Sequence, residues 1–264
     1  CALEPTRRAV LRAPVAAAGA ALAATPPSPA LAADDAVTAT VRLELNVARA
    51  PYEPLRLEIF GDAAPASAAY FLKLASGALD ASCNEAEDQG LQRAAASARA
   101  QERSCLDYQG VPVGLQNSAM WRLVPDKRVD FGRVDSTFAN REPPKFAEEP
   151  GGLLKPSQRG AVSVRRGGGA FEFTIAPRDN PALDKAEENL VCVGRVAAAD
   201  LPVLDALNAI PTKKDLVSLS DVPPLGAKFA RACEYANPDA SCAQFKPLKR
   251  VVVSGSAVGG RGGG

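Results

Sequence analysis

The stretch VTATVRLELNV, Val37–Val47, alternates apolar and polar residues along its length. A period of two suits a strand with one face against a core and the other toward water. PLRLEIFGDAAP, Pro54–Pro65, repeats the pattern at Leu55, Leu57 and Ile59 and ends in a Gly-Asp turn. The period then changes. In PASAAYFLKLASG the apolar residues fall at helical spacing, with Ala69, Leu72 and Ala75, or Tyr70, Phe71 and Leu74, on one side. Pro65 suits a first helical turn and Gly77 a stop, so the expected opening is strand, strand, helix.

Short strands are expected at Met120–Val124, Gly160–Val164, Phe171–Ala176 and Leu190–Val196, with Pro247–Gly255 as the last. Ala197–Pro211 reads as a second amphipathic helix, with Asp200 as N-cap and Pro202 in its first turn. Many strands with two helices point to a mainly β fold, a closed antiparallel barrel capped by the helices. Residues 80–107 interrupt this rhythm. They are charged and alanine-rich, with few side chains to fill a core, and read as a partly helical surface insertion. RRGGGA, Arg165–Ala170, lacks the Gly-Lys-Ser/Thr ending of a phosphate loop and reads as a flexible loop. Phe138–Gly151 reads as an exposed Pro-rich loop, and the Gly-rich residues 259–264 as a disordered tail.

The first 32 residues read as an address. TRRAVLR, Thr6–Arg12, is followed by the alanine-rich Ala13–Ala24, a Pro-rich break and a small-x-small site at Ala30–Ala32. The Thr-Arg-Arg-x-apolar-Leu-basic run resembles a twin-arginine export signal, which would be removed to leave a domain over 33–258. The sequence starts at Cys1 rather than Met, which fits loss of an upstream transit peptide and hence a thylakoid lumen destination. Without a transit peptide the same signal would serve a bacterial periplasm. No long strongly apolar run follows, so no stable membrane insertion is expected after the signal is removed. In an oxidising compartment Cys83 with Cys105 and Cys233 with Cys242 make natural local disulfides, although other connectivities stay open. Cys192, inside LVCVG, reads as a buried thiol.

Charge and composition exclude several functions. Thirty-one basic residues against 30 acidic ones leave a formal charge of +1, which gives no reason to expect nucleic acid as a partner. The chain contains no histidine, so it has no Ser-His-Asp triad, no Cys-His dyad and no His-ligated zinc. No cysteine pair has C-x-x-C spacing, and no metal or cofactor is expected.

The order of motifs resembles the cyclophilin family, the barrel-type peptidyl-prolyl isomerases. VRLELNV…LRLEIFGDAAPASAAYFLKLASG is similar to the family's two strands leading through Gly-Asp-x-x-Pro into a helix. MWRLVP resembles its Phe-His-Arg-Val-Ile-Pro strand, EEPGGLLKPSQRGAVSV the stretch ending Gly-x-Leu-Ser-Met, and AFEFTIA its Gln-Phe-Phe-Ile. ALDKAEENLVCVGRV is similar to Trp-Leu-Asp-Gly-x-x-x-Val-Phe-Gly-x-Val, with extra residues before Leu190. The resemblance implies an eight-stranded barrel and an isomerase that assists protein folding, works as a monomer and takes proline-containing protein or peptide clients.

It also implies a site. An X–Pro bond turns slowly because amide resonance resists twisting. A catalyst must therefore favour the twisted state over both planar ones. An always-protonated arginine can do so by donating to the imide nitrogen as conjugation breaks, with no general base. By match to the motif, Arg122 takes that catalytic position, Phe173 the floor of the proline pocket and Leu183 its leucine. Departures surround them. Trp121 replaces the histidine before the arginine, and Phe-Met-x-Gln becomes Lys127, Arg128, Val129 and Asp130. Phe171 stands for the glutamine of Gln-Phe-Phe, Ala182 for a rim tryptophan, Glu187 or Glu188 near a histidine, and Arg165 for a small groove residue. A groove so charged implies weak or substrate-restricted isomerisation; the alternative is a non-catalytic binding or assembly factor using the same groove.

Overall fold

The computed structural model describes residues 36–83, 110–132, 141–152, 154–212 and 245–260. The segment read as an export signal, the middle of the expected insertion, and Cys105, Cys233 and Cys242 lie outside the described residues.

The two alternating stretches become β1 (Ala39–Val47) and β2 (Ala50–Ile59), an antiparallel hairpin. Ala48 and Arg49 turn the chain with φ of 51° and 72°, the left-handed pair whose twist matches that of the flanking strands. That turn lets β2 begin ahead of the expected Pro54. Val41, Leu43, Leu45, Leu55, Leu57 and Ile59 all point into the core, as the alternation requires.

Helix α1 (Pro65–Ser76) follows, with Pro65 in its first turn and Gly77, at φ 73°, closing it in the left-handed conformation. Ala64 has no side chain with which to cap the helix. Glu149 does so from a distant loop, accepting hydrogen bonds from the Ala66 and Ser67 N–H groups and the Ser67 hydroxyl. Ala68, Phe71, Leu74 and Ala75 pack onto the sheet core.

The later elements are β3 (Ser82–Cys83), β4 (Arg122–Val124), β5 (Arg128–Phe131), β6 (Arg141–Glu142), β7 (Ala161–Arg165), β8 (Phe173–Ile175), β9 (Leu190–Val196), α2 (Leu201–Asn208) and β10 (Val251–Gly260). Among the described residues β3 and β6 pair only with each other. The other eight strands form one antiparallel sheet, curved as a half-barrel, in the order β10-β1-β2-β9-β7-β8-β5-β4. Among the described residues the fold is mainly β with two α-helices. The pairing of strands leaves β4 and β10 at the ends, so the expected closed barrel is not formed by strand ladders. The segment before β4 is nonetheless bonded to β10, through Asn117 N–H to Val253 O (2.8 Å), Val253 N–H to Ser118 O (2.9 Å) and Met120 N–H to Val251 O (3.0 Å).

Several expectations are corrected. Asp200 does not cap α2. Arg56 draws its carboxylate away, donating from Nε (2.8 Å), Nη2 (2.7 Å) and its backbone N–H (2.8 Å). The last strand runs through Gly259 and Gly260, which pair with Thr40 and Ala39, so these two residues are not part of a disordered tail. RRGGGA is a held loop. Phe146 N–H donates to Gly167 O and Gly169 N–H to Pro144 O, and a Cβ on Gly168 would lie 2.5 Å from Pro144 O. The insertion is closed at its base by the Leu79–Val113 bridge, with N–H to O distances of 2.8 and 3.2 Å. Cys83, in β3, is disulfide-bonded; Cys105, its expected partner, lies outside the described residues. Cys192 is buried, its Sγ donating to Gly194 O at 3.1 Å.

Candidate active site

The site grows out of one alternation. β5 reads Arg128-Val129-Asp130-Phe131. Val129 and Phe131 enter the core, so Arg128 and Asp130 share the opposite face. In β4, Leu123 enters the core and Arg122 joins that opposite face. Register then carries a line across the strands: Arg122 opposite Asp130, Asp130 opposite Thr174, Thr174 opposite Ser163. Asp130, Thr174 and Ser163 are all buried.

A buried carboxylate needs partners. The Thr174 hydroxyl donates to Asp130 Oδ1 at 2.7 Å, and Arg128 donates to the same oxygen from Nε (3.0 Å) and Nη2 (2.9 Å). Arg128 Nη2 also donates to Thr174 Oγ1 at 3.1 Å, and Nη1 to Glu188 Oε2 at 2.5 Å. Glu188 ends the 3₁₀ turn Ala186–Glu188 of a loop lying beside the sheet. The same loop is tied to the β4–β5 turn by Asn180 Nδ2 donating to Lys127 O at 2.9 Å. Arg122 stands outside this clasp. Its Nε is 3.8 Å from Asp130 Oδ2 and its side chain is 37% exposed. Burial pushes the Asp130 carboxyl above its ordinary pKa, while Arg128, Thr174 and Arg122 act against that shift.

The residues expected at the site separate into two groups. Arg122 and Asp130 meet, and the backbone N–H of the half-buried Trp121 donates to Asp130 O at 3.0 Å. Phe173 is elsewhere. Its ring is buried in the core, stacked on Phe131 (centroids 5.2 Å from Phe71 and 5.4 Å from Phe131), and Thr174 takes the place beside Asp130. The reason is the period of the strand: a one-residue offset in matching FEFTI to Gln-Phe-Phe-Ile exchanges the two faces. Phe171 likewise packs partly against the core rather than on the line of Arg122. Leu183 is buried in the 3₁₀ turn Pro181–Asp184, within the loop that carries Glu188. Arg165, the last residue of β7, is exposed. The residues not anticipated as working parts are Arg128, Thr174 and Glu188. Arg128 was legible in principle, because a basic and an acidic residue two apart in a strand share a face.

Chemically, the face offers guanidinium donors fixed by a buried acid, without an aromatic floor on β8. It can hold a peptide by hydrogen bonds and stabilise charge at a developing lone pair. The family model "Cyclophilin type peptidyl-prolyl cis-trans isomerase/CLD" matches residues 41–225, more than half of the 264-residue chain. That span takes in Arg122, Asp130, Thr174 and Glu188. No curated protein matches the chain. The chain belongs to the cyclophilin-type peptidyl-prolyl cis-trans isomerase family, and its domain is of the isomerase type that binds proline-containing peptides.

Proposed function

We propose that the protein engages proline-containing segments of exported clients on the Arg122 face and isomerises them weakly or selectively. Arg122 carries this reading. Of the two arginines at Asp130 it is the one left partly open, steered by the carboxylate at 3.8 Å but not tied down by the hydrogen bonds that hold Arg128. A guanidinium so placed keeps donors for an imide nitrogen, where twisting of the amide exposes a lone pair. Weakness follows from what lies next to it: Thr174 and Arg128 offer no apolar seat for the ring, and a desolvated aromatic contact contributes about 2–3 kcal/mol. The test is a protease-coupled assay with proline peptides on the full chain and on Arg122→Ala. Slow catalysis by the first and only the uncatalysed rate with the second is expected. If neither exceeds the uncatalysed rate, isomerisation is lost as a function and holding of clients remains.

That second reading, a non-catalytic binding or assembly factor, is favoured by the Arg128–Glu188 pair spanning the face between sheet and loop. The bonds linking Asn117–Ser118 and Met120 to β10 support reading the sheet as a barrel closed through irregular backbone. A thylakoid lumen location, or a periplasm, is supported by the twin-arginine-like leader and by the disulfide at Cys83. Fractionation of cells expressing a tagged chain, with and without Arg7 and Arg8 replaced by lysine, tests the location; retention of both in the compartment of synthesis would overturn it.

A further inference from the structure

One carboxylate on this face serves two guanidiniums. Asp130 lies within hydrogen-bond distance of Arg128 and 3.8 Å from Arg122, so its single negative charge leaves one positive charge over. The balance comes from Glu188, which belongs to a different loop and whose side chain is 36% exposed, against 14% for Arg128. The anchoring of Arg128 is unequal along its fork. Nε and Nη2 are held by the buried Asp130 and Thr174, whereas Nη1 is held by Glu188 alone. The guanidinium therefore keeps its place if the outer carboxylate is exchanged for another.

We propose that Arg128 Nη1 is a receptor for an acidic side chain of the client, and that Glu188 is the internal stand-in which that side chain displaces. The inference rests on the reading that this face engages proline-containing segments, and it names which of them. Exchange of one carboxylate for another at Nη1 keeps Arg128 paired while Glu188, already partly exposed, turns to solvent. An apolar side chain would have to lie over an intact ion pair, and a basic one would add a cation to Arg122 and Arg128. Register sets the spacing. Arg122 pairs with Asp130, so Arg128 is its diagonal neighbour, about 7–8 Å away in such a ladder. Extended peptide advances about 3.3 Å per residue, so the acid sits about two residues from the proline twisted at Arg122.

The test uses the full chain and three fluorescently labelled proline peptides, identical except for Glu, Ala or Lys two residues from the proline. Binding is titrated for the wild type, Glu188→Gln and Arg128→Met. The Glu peptide is expected to bind about tenfold more tightly than the Ala peptide, the scale of one charge-assisted hydrogen bond partly offset by displacing Glu188. Glu188→Gln should widen that preference and Arg128→Met abolish it. Because Arg128→Met strips a buried acid of its main partner, the half-exposed Glu188→Gln carries the test if that variant fails to fold. Equal binding of Glu and Ala peptides, or weaker binding of the Glu peptide by Glu188→Gln, overturns this inference and leaves the proposed function standing. Binding of none of the three overturns both.

Discussion

Asp130 faces Arg122 directly across the β4–β5 ladder, yet it accepts its hydrogen bonds from Arg128 and Thr174, while Arg122 Nε stays 3.8 Å from Oδ2. The acid thus clamps one arginine and only orients the other. Asp130→Asn keeps the shape and removes the one negative charge that the two arginines share. Arg128 keeps Glu188 as a partner, and burial already works against the Asp130 charge, so the loss is that of weakened charge-assisted hydrogen bonds, about 1–2 kcal/mol. Urea unfolding of the variant should show a loss on that scale. An unchanged midpoint would mean that the pair contributes nothing net to stability.

Phe173 and Thr174 are neighbours in sequence with opposite duties. Phe173 fills the core between Phe71 and Phe131, so Phe173→Ala should cost about 3–5 kcal/mol, as large-to-small core changes do. Thr174→Val is nearly isosteric and removes the hydroxyl that joins Asp130 to Arg128, so it should cost only about 1–2 kcal/mol. Peptide binding, measured on each variant under conditions where it is folded, should change with Thr174→Val and not with Phe173→Ala. The reverse pattern would place Phe173 in the groove and refute the register described above.

The Arg56–Asp200 pair makes stability depend on acidity. Hydrogen bonds from Arg56 hold the Asp200 carboxyl below its ordinary 3.8. A depressed carboxyl contributes stability above the unfolded value, and that contribution is lost as pH falls through 3.8 toward the lower folded value. Asp200→Asn should be less stable than wild type at neutral pH, and the two should converge below pH 3.8. Thermal unfolding across that range checks it. A constant difference at every pH would show that Asp200 acts by packing and not by charge.

Gly168 sits at φ 75° in the β7–β8 loop, where a Cβ would lie 2.5 Å from Pro144 O and 2.7 Å from the Phe146 ring. Gly168→Ala must both adopt a disfavoured backbone and push the 144–146 segment away, at a cost of about 1–3 kcal/mol. Amide exchange should quicken at Phe146 and Gly169, whose N–H groups bond across this contact. Exchange unchanged at both would show that the loop accommodates the methyl without moving.

Local periodicity was enough for the parts of the fold that depend on near neighbours. VRLELNV and LRLEI alternate because one strand face must be buried, and Pro65 and Gly77 bound α1 because each suits one end of a helix. The family pattern around Arg122 was also readable, because the residues carrying it are contiguous. Partnerships between distant segments were not. That Asp200 would serve Arg56 instead of capping α2, that Glu149 would cap α1, and that Arg128 would bridge Asp130, Thr174 and Glu188 all depend on which elements lie side by side. The exchange of Phe173 for Thr174 shows why. Alternation says that adjacent residues face opposite ways, but the pairing with β5 and β7 decides which of them meets Asp130, and a slip of one residue reverses the answer.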